Sequence, residues 1–233
     1  MTVIGVDGCK GGWIAVAWDG EASTTPRAHV VARFEDVVAL DAEIIAVDIP
    51  IGLPDIARNG RGCDGEARRR LKGKASSVFP APARSTLQAR DHGEASAINR
   101  KFSDPSHGIS AQAYNILAKI AEVDGLISPL LQSRVYEVHP ELCFYAMNGD
   151  ASVREKKREV DGQEKRIALL RANGFPFDRM QHPAVPRRHW GLDDLIDACA
   201  CAWSARRIRD GLNLRLLADP PLDGRGLRME INA

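Results

Sequence analysis

VIGVDGCKGGWIAVAWDG, residues 3–20, decides how the rest of the chain is read. An apolar run climbs to Asp7, a turn of small residues follows (Gly8, Cys9, Lys10, Gly11, Gly12), and a second apolar run extends from Trp13 to Trp18. The two runs predict the strands of one hairpin, with glycine supplying the positive φ that a tight reversal needs. A carboxylate at the end of a buried strand is costly unless a cation or hydrogen bonds hold it. Asp7 is therefore the first candidate for chemistry, and the next question is which other carboxylates can reach it.

Outward from the hairpin, residues 27–34 (RAHVVARF) read as a third strand and 35–42 as a short helix carrying Val37, Val38 and Leu40. Residues 43–50, EIIAVDIP, form a dense apolar run too short for a helix and rich in isoleucine, the pattern of a strand buried on both faces. This fourth strand ends on Asp48 and is broken by Pro50, Gly52 and Pro54. From 54 to about 108 the chain is rich in proline, glycine and basic residues, and it reads as an insertion of loops and short helices beside the core. Ser110 predicts the cap of a helix running to about Leu131, with Ile116, Ile120, Val123 and Ile127 at helical spacing. Residues 134–139, RVYEVH, read as a fifth strand closed by Pro140. A charged stretch, 154–166, leads into a helix with Ile167, Leu169 and Leu170 that stops at Gly174 and Pro176. Residues 191–210 predict the last strong helix, and 223–231 a short terminal strand. The expected fold is α/β: a mixed five-stranded sheet, three antiparallel strands then parallel ones, with helices on its faces, as a single domain carrying the 54–108 insertion.

With 233 residues, 44% apolar and 27% charged, the chain can bury a substantial core and is neither disordered nor fibrous. A net charge of +1 gives no global preference for nucleic acid, so any basic footprint must be local. Five cysteines at scattered positions, with no CxxC, read as reduced thiols rather than a disulfide framework or zinc site. No apolar run approaches 18 residues and no leader pattern opens the chain, so the expected location is the cytoplasm, away from membranes.

Besides Asp7 and Asp48, the fifth strand carries Glu137, followed on the same face by His139, and the last helix carries Asp194 and Asp197 three residues apart on one face. If the first and fourth strands are neighbours, Asp7 and Asp48 lie side by side, and a helix packed there brings Asp194 and Asp197 to them. Several carboxylates at one point repel one another, and their natural partner is a hard divalent cation, Mg²⁺ or Mn²⁺, with oxygen ligands. Two such ions activate a water and stabilise the leaving oxygen in phosphodiester hydrolysis. Each residue also has a plain structural reading. Asp7 can bond to its own turn, Asp48 can be a strand-end turn residue, Asp193 can cap the last helix, and Asp197 can form a buried ion pair with an arginine.

IGVDGCKGGWIAV, AVDIP and DDLIDACACAW, in that order, resemble the RNase H-like superfamily, and the D-x-x-D-A helix is similar to that of the Holliday-junction resolvase RuvC. VDGCKGGW, DIPIGLP, SSVFPAP, EVHPE and DDLIDA together resemble the domain of unknown function 429 family, described as predicted RNase H-like nucleases. The resemblance spans nearly the whole chain. It implies an RNase H-like fold and a metal-dependent nuclease with Asp7, Asp48 and Asp194 or Asp197 as ligands of Mg²⁺ or Mn²⁺. Aspartate stands in the fourth strand where the resolvases have glutamate, which shortens the reach to a metal. Nucleic acid, DNA or RNA, is the expected partner, and a homodimer the expected assembly, since resolvase-like folds often act as dimers.

Glu137 joins the catalytic candidates. Lys10, Arg61, Arg68, Arg69, Lys74 and His139 are candidate phosphate contacts, together with Ser76 and Ser77, which lack the nucleophile-elbow context of a serine hydrolase. The four tryptophans read as core. Two other functions fit the same pattern. A nucleotide-binding phosphotransferase or ATPase of the actin-like fold would use Lys10, Gly8, Gly11 and Gly12 around phosphates, although such proteins normally duplicate the domain. A non-catalytic nucleic-acid-binding module would hold a structural ion.

Overall fold

The computed structural model describes residues 1–58 and 60–233, which form two compact units. The first comprises Met1–Asp48, Arg134–Arg215 and Asn232–Ala233. It contains strands β1 (Val3–Cys9), β2 (Gly12–Trp18), β3 (Arg27–Val31), β4 (Ile44–Val47) and β5 (Val135–Glu137). Its sheet order is β3-β2-β1-β4-β5, antiparallel across β3, β2 and β1 and parallel across β1, β4 and β5. The expected mixed five-stranded sheet is therefore present.

The hairpin turns at Lys10 and Gly11 and enters β2 at Gly12, whose φ of +121° and whose position, 2.3 Å from Val31 O for any added Cβ, admit only glycine. Helix α1 (Phe34–Val38) packs on β2 and β3, where Phe34 meets Trp13 with ring centres 5.0 Å apart. The second unit joins Ile49–Ser133, which lies between β4 and β5 in the sequence, to Leu216–Ile231, which follows the last helix, Leu192–Arg209. It holds α2 (Gly62–Arg70), α3 (His92–Lys101), α4 (Ala111–Asn115) and α5 (Leu117–Leu126). The 54–108 stretch lies within this unit, and so does the helix that Ser110 caps. That helix is interrupted at Ile116 and ends at Leu126, because Ile127 turns extended ahead of Ser128 and Pro129.

Back in the first unit, α6 (Pro140–Met147) starts directly after β5, α7 (Val160–Ala172) follows, and α8 (Leu192–Arg209) is the longest helix among the described residues. Helix α7 begins seven residues before Ile167, because the buried stripe of its first turns is made by Gly162 and Arg166, which are not apolar side chains. Helix α8 packs on β1, β4 and β2 and against α6 and α7. All four tryptophans are buried. The tail forms isolated bridges instead of a strand: Leu222 with Arg228, and Asn232 with both Val138 and Arg215.

The seam between α8 and β1 is set by one residue. A Cβ on Gly5 would lie 2.0 Å from Ala202 N and 2.2 Å from Ala198 O, so the helix backbone rests directly on the strand. The small side chains of Ala198 and Ala202 complete the fit. This contact fixes which face of the sheet α8 covers: the face of Gly5, and hence of Asp7 two residues on.

Candidate active site

Asp7 belongs to β1 and Asp48 follows directly on β4. Val6 pairs with Val47, and Asp48 N donates to Val6 O at 3.0 Å, so Asp7 and Asp48 stand in one row of the parallel pair. That row shares the face of Gly5 and Ala46, which α8 covers. Asp197, only 2% exposed, descends from α8 onto the same place. The side chain of Asp7 is also buried, and its Oδ1 accepts from Gly8 N at 2.7 Å. The turn bond expected as its structural role thus coexists with membership of the cluster.

The three carboxylates act on one another. Burial, followed by the charges of Asp48 and Asp197, raises Asp7 well above the usual carboxylate range, while Lys157 opposes this. Burial raises Asp48 too, against the favourable charges of His139 and Lys157 and with the unfavourable charge of Glu141. Asp197 is pushed up to about 6, by burial first and by Asp48 and Glu141, even though Lys157 Nζ donates to its Oδ2 at 2.6 Å. Lys157 is correspondingly held protonated. Burial works against its charge, but Asp197, Asp7 and Asp48 outweigh it and raise its pKa. This is a concentration of negative charge with one ammonium in it.

Asp194 also acts on the cluster, its charge raising Asp7 less than those of Asp48 and Asp197 do, and it has a second task. Gly191 N donates to Asp194 Oδ2 at 2.8 Å, so Asp194 closes the N-terminal turn of α8. Asp193, expected as the cap, instead faces Arg158 at 3.3 Å. The buried ion pair expected of Asp197 exists, with a lysine in place of an arginine.

Glu137 is corrected. It pairs with Val47, in the row of Val6, one residue out of step with Asp7 and Asp48. A one-residue offset in a parallel sheet sends the side chain to the opposite face, so Glu137 leaves the carboxylate set. His139 remains beside Asp48 through its charge and caps α6.

Among the expected phosphate contacts, Lys10 is exposed on the hairpin turn. The turn itself is not an open phosphate cradle, because Gly11 N donates to His189 O at 2.7 Å and Gly8 N to Asp7. Arg61 is corrected as well. It is 5% exposed, its Nη2 lies 2.7 Å from Asp64 Oδ1, and its Nη1 donates to Ile51 O and Gly52 O. A guanidinium so engaged holds the second unit together and presents nothing to a phosphate. Arg68 Nε donates to Val78 O, while Arg69 pairs with Glu66 and is otherwise exposed. Ser76 is exposed, and Ser77 Oγ donates to Lys74 O at 2.8 Å in a single 3₁₀ turn, Ala75–Ser77. Arg61, Arg68, Arg69, Ser76 and Ser77 belong to the second unit, and Lys10 and the carboxylates to the first.

The family model described as Protein of unknown function (DUF429) matches residues 5–222. The chain belongs to this family. No curated protein and no solved structure matches it. In this DUF429 member every residue of the carboxylate cluster falls inside the matched span, Lys157 included.

Lys157 and Glu141 were missed as site members in the sequence. Lys157 hides in REKKRE, a run that looks solvated. A sharper signal lay in α7, where Gly162, Arg166, Leu169 and Leu170 share the helical stripe that becomes buried, which places an arginine at a core position.

The donor chemistry that a divalent cation would need is present in part: buried oxygen donors, mutual repulsion, and an orphaned carboxylate oxygen, Glu141 Oε2. Among the described residues, no group of three or more His, Cys, Asp or Glu is placed so that it could hold a metal ion. No helix among the described residues is long and apolar enough to cross a membrane.

Proposed function

We propose that this chain is a divalent-metal-dependent nuclease with an RNase H-like fold. The reading is carried by one observation: Asp7 and Asp48 stand in one row at the ends of adjoining parallel strands, and α8 brings Asp197 onto them. The strand order β3-β2-β1-β4-β5, with its antiparallel first three strands, supports the fold assignment. Asp7, Asp48 and Asp197 would hold Mg²⁺ or Mn²⁺, whose chemistry when bound is to sharpen a water nucleophile and steady the leaving oxygen.

The protein's own contributions follow from the geometry. The sheet and α8 fix three carboxylates at the cost of mutual repulsion, so the site favours any cation that relieves it. Lys157 keeps its proton and offers positive charge beside the carboxylates. Arg68, Arg69 and Lys74 are basic residues proposed to contact phosphates, with Arg61 withdrawn from that set. The phosphotransferase reading is weakened by the hairpin, two of whose glycine N–H groups are already taken up by Asp7 and His189.

The test is a cleavage panel of single strands, duplexes, RNA–DNA hybrids and four-way junctions, in Mn²⁺ and in EDTA. The expected result is cutting of at least one substrate in Mn²⁺, none in EDTA, and none by Asp48→Asn. Silence across the panel from folded protein would refute the nuclease reading.

A further inference from the structure

The loop that leads into α8, residues 181–190 (QHPAVPRRHW), holds two arginines and two histidines and no carboxylate. It is pinned at both ends within the first unit. At its start, Gln181 N donates to Pro26 O at 2.9 Å and Gln181 O accepts from Ala28 N at 2.9 Å, beside β3. At its end, His189 O accepts from Gly11 N at 2.7 Å, and a Cβ on Gly11 would lie 3.0 Å from His189 Cβ. Between these ends the loop is built on Trp190, which is 4% exposed. Trp190 Nε1 donates to Val185 O at 3.2 Å, and the His182 ring meets the indole edge-on with centres 5.9 Å apart. The Arg187 guanidinium carbon lies 3.9 Å from the centre of the same ring.

This arrangement leaves a strip of positive charge in the open. Arg187, Arg188 and Lys10 of the adjoining hairpin turn are exposed, and none of the three pairs with a carboxylate among the described residues. Other exposed arginines of this unit do pair: Arg33 with Glu35, Arg158 with Asp193 and Arg171 with Asp178. The strip is tied to the carboxylates at two points of the chain. Lys10 stands three residues beyond Asp7, about 10 Å at the rise of a strand. On the other side, Trp190 stands two residues before α8, and Asp197 lies about 8 Å along that helix from its first residue. A duplex strand carries a phosphate about every 3.4 Å of helix axis, so such spans correspond to about three nucleotides.

We propose that Lys10, Arg187 and Arg188 form a binding surface for the phosphate backbone of a nucleic-acid strand that runs on to the carboxylates. This rests on the nuclease reading above and adds a contact surface in the same unit as Asp7, Asp48 and Asp197. The surface reads charge and not sequence. Its indole, Trp190, is buried beneath Arg187 and offers no face on which a base could stack. The same ring holds the Arg187 guanidinium in place while leaving its charge to meet phosphate oxygens. Because both ends of the loop are already bonded to the sheet, little ordering is left for the ligand to impose.

The experiment is binding of fluorescein-labelled DNA and RNA of about 20 nucleotides, single-stranded and duplex, to the full chain in EDTA, read by anisotropy from about 50 to 200 mM salt. Lys10→Gln/Arg188→Gln should bind the best probe about tenfold or more weakly at about 100 mM salt, with a salt slope lower by about 1.4 to 1.8. Lys165→Gln, exposed on α7, should stay within about twofold of wild type. Unrelated sequences should bind wild type within about threefold of one another. On wild type itself, acetylation of Lys10, followed by mass spectrometry, should slow when the probe is bound, and acetylation of Lys165 should not. A folded double variant that matches wild type in affinity and slope, a Lys10 left unprotected, or a strong preference for one sequence would overturn the proposal. Any of these results with a wild type that still binds would leave the nuclease reading standing. A wild type that binds none of the probes at the lowest salt would remove both.

Discussion

Gly5→Ala probes the seam on which the carboxylate site depends. The added methyl would meet Ala202 N at 2.0 Å, Ala198 O at 2.2 Å and Ala202 Cα at 2.6 Å, and all three are backbone atoms that no rotamer change can move. Ordinary contact begins near 3.4 Å, so α8 must rise from β1 by about 1.4 Å at this point. Overpacking of this kind costs about 3 kcal/mol or more. Asp197 immediately precedes Ala198, so the same displacement draws it away from Asp7. Urea denaturation of wild type and variant in EDTA measures the first effect, and Mn²⁺ affinity the second. The expected result is a midpoint shift equivalent to about 3 kcal/mol, or failure to fold, with weakened Mn²⁺ binding in any folded fraction. A variant within about 0.5 kcal/mol of wild type would refute the tight seam.

Three further outcomes follow from the charges. Because Asp197 titrates near 6 in the folded chain and at the ordinary 3.8 when unfolded, the native state binds the extra proton between these values. Stability in EDTA should therefore fall as pH rises from about 4 to 6, and Asp197→Asn should make that slope shallower in pH-dependent melts; a rising slope there would contradict it. Asp7→Asn, which keeps an acceptor for Gly8 N but removes a charge that its neighbours repel, should melt higher than wild type at pH 7 in EDTA, and a lower melting temperature would count against the cluster. Arg61→Met leaves Asp64 buried without its counter-charge and should cost about 3–5 kcal/mol by denaturation, largely recovered in Arg61→Met/Asp64→Leu; a loss below about 1 kcal/mol would show that the pair is not structural.

The strands and their terminal aspartates could be read from the sequence because each signal is local: an apolar run, a carboxylate, then a breaker. Helix α8 was equally readable from its length and small-residue face. Glu137 was misplaced because alternation within β5 says which residues share a face, and only the register with Val47 says which face that is. Asp193 and Asp194 could not be told apart as caps, since the choice depends on which side chain folds back to Gly191 N. The helix capped by Ser110 has a clear apolar stripe, but a stripe does not name its partner, and the helix belongs to the second unit. Lys157 was invisible for a related reason. A lysine in a charged run reads as solvated until the fold brings its loop against Gly162 and its ammonium to Asp197.

The most direct test of the central claim is the single-turnover cleavage rate in Mn²⁺ on the best substrate of the panel, compared across four variants. Asp7→Asn, Asp48→Asn and Asp197→Asn should each lose about a hundredfold or more, while Glu137→Gln, on the opposite face of the sheet, should stay within about threefold of wild type. Equal losses in Glu137→Gln, or full activity in any of the three aspartate variants, would contradict the site described here.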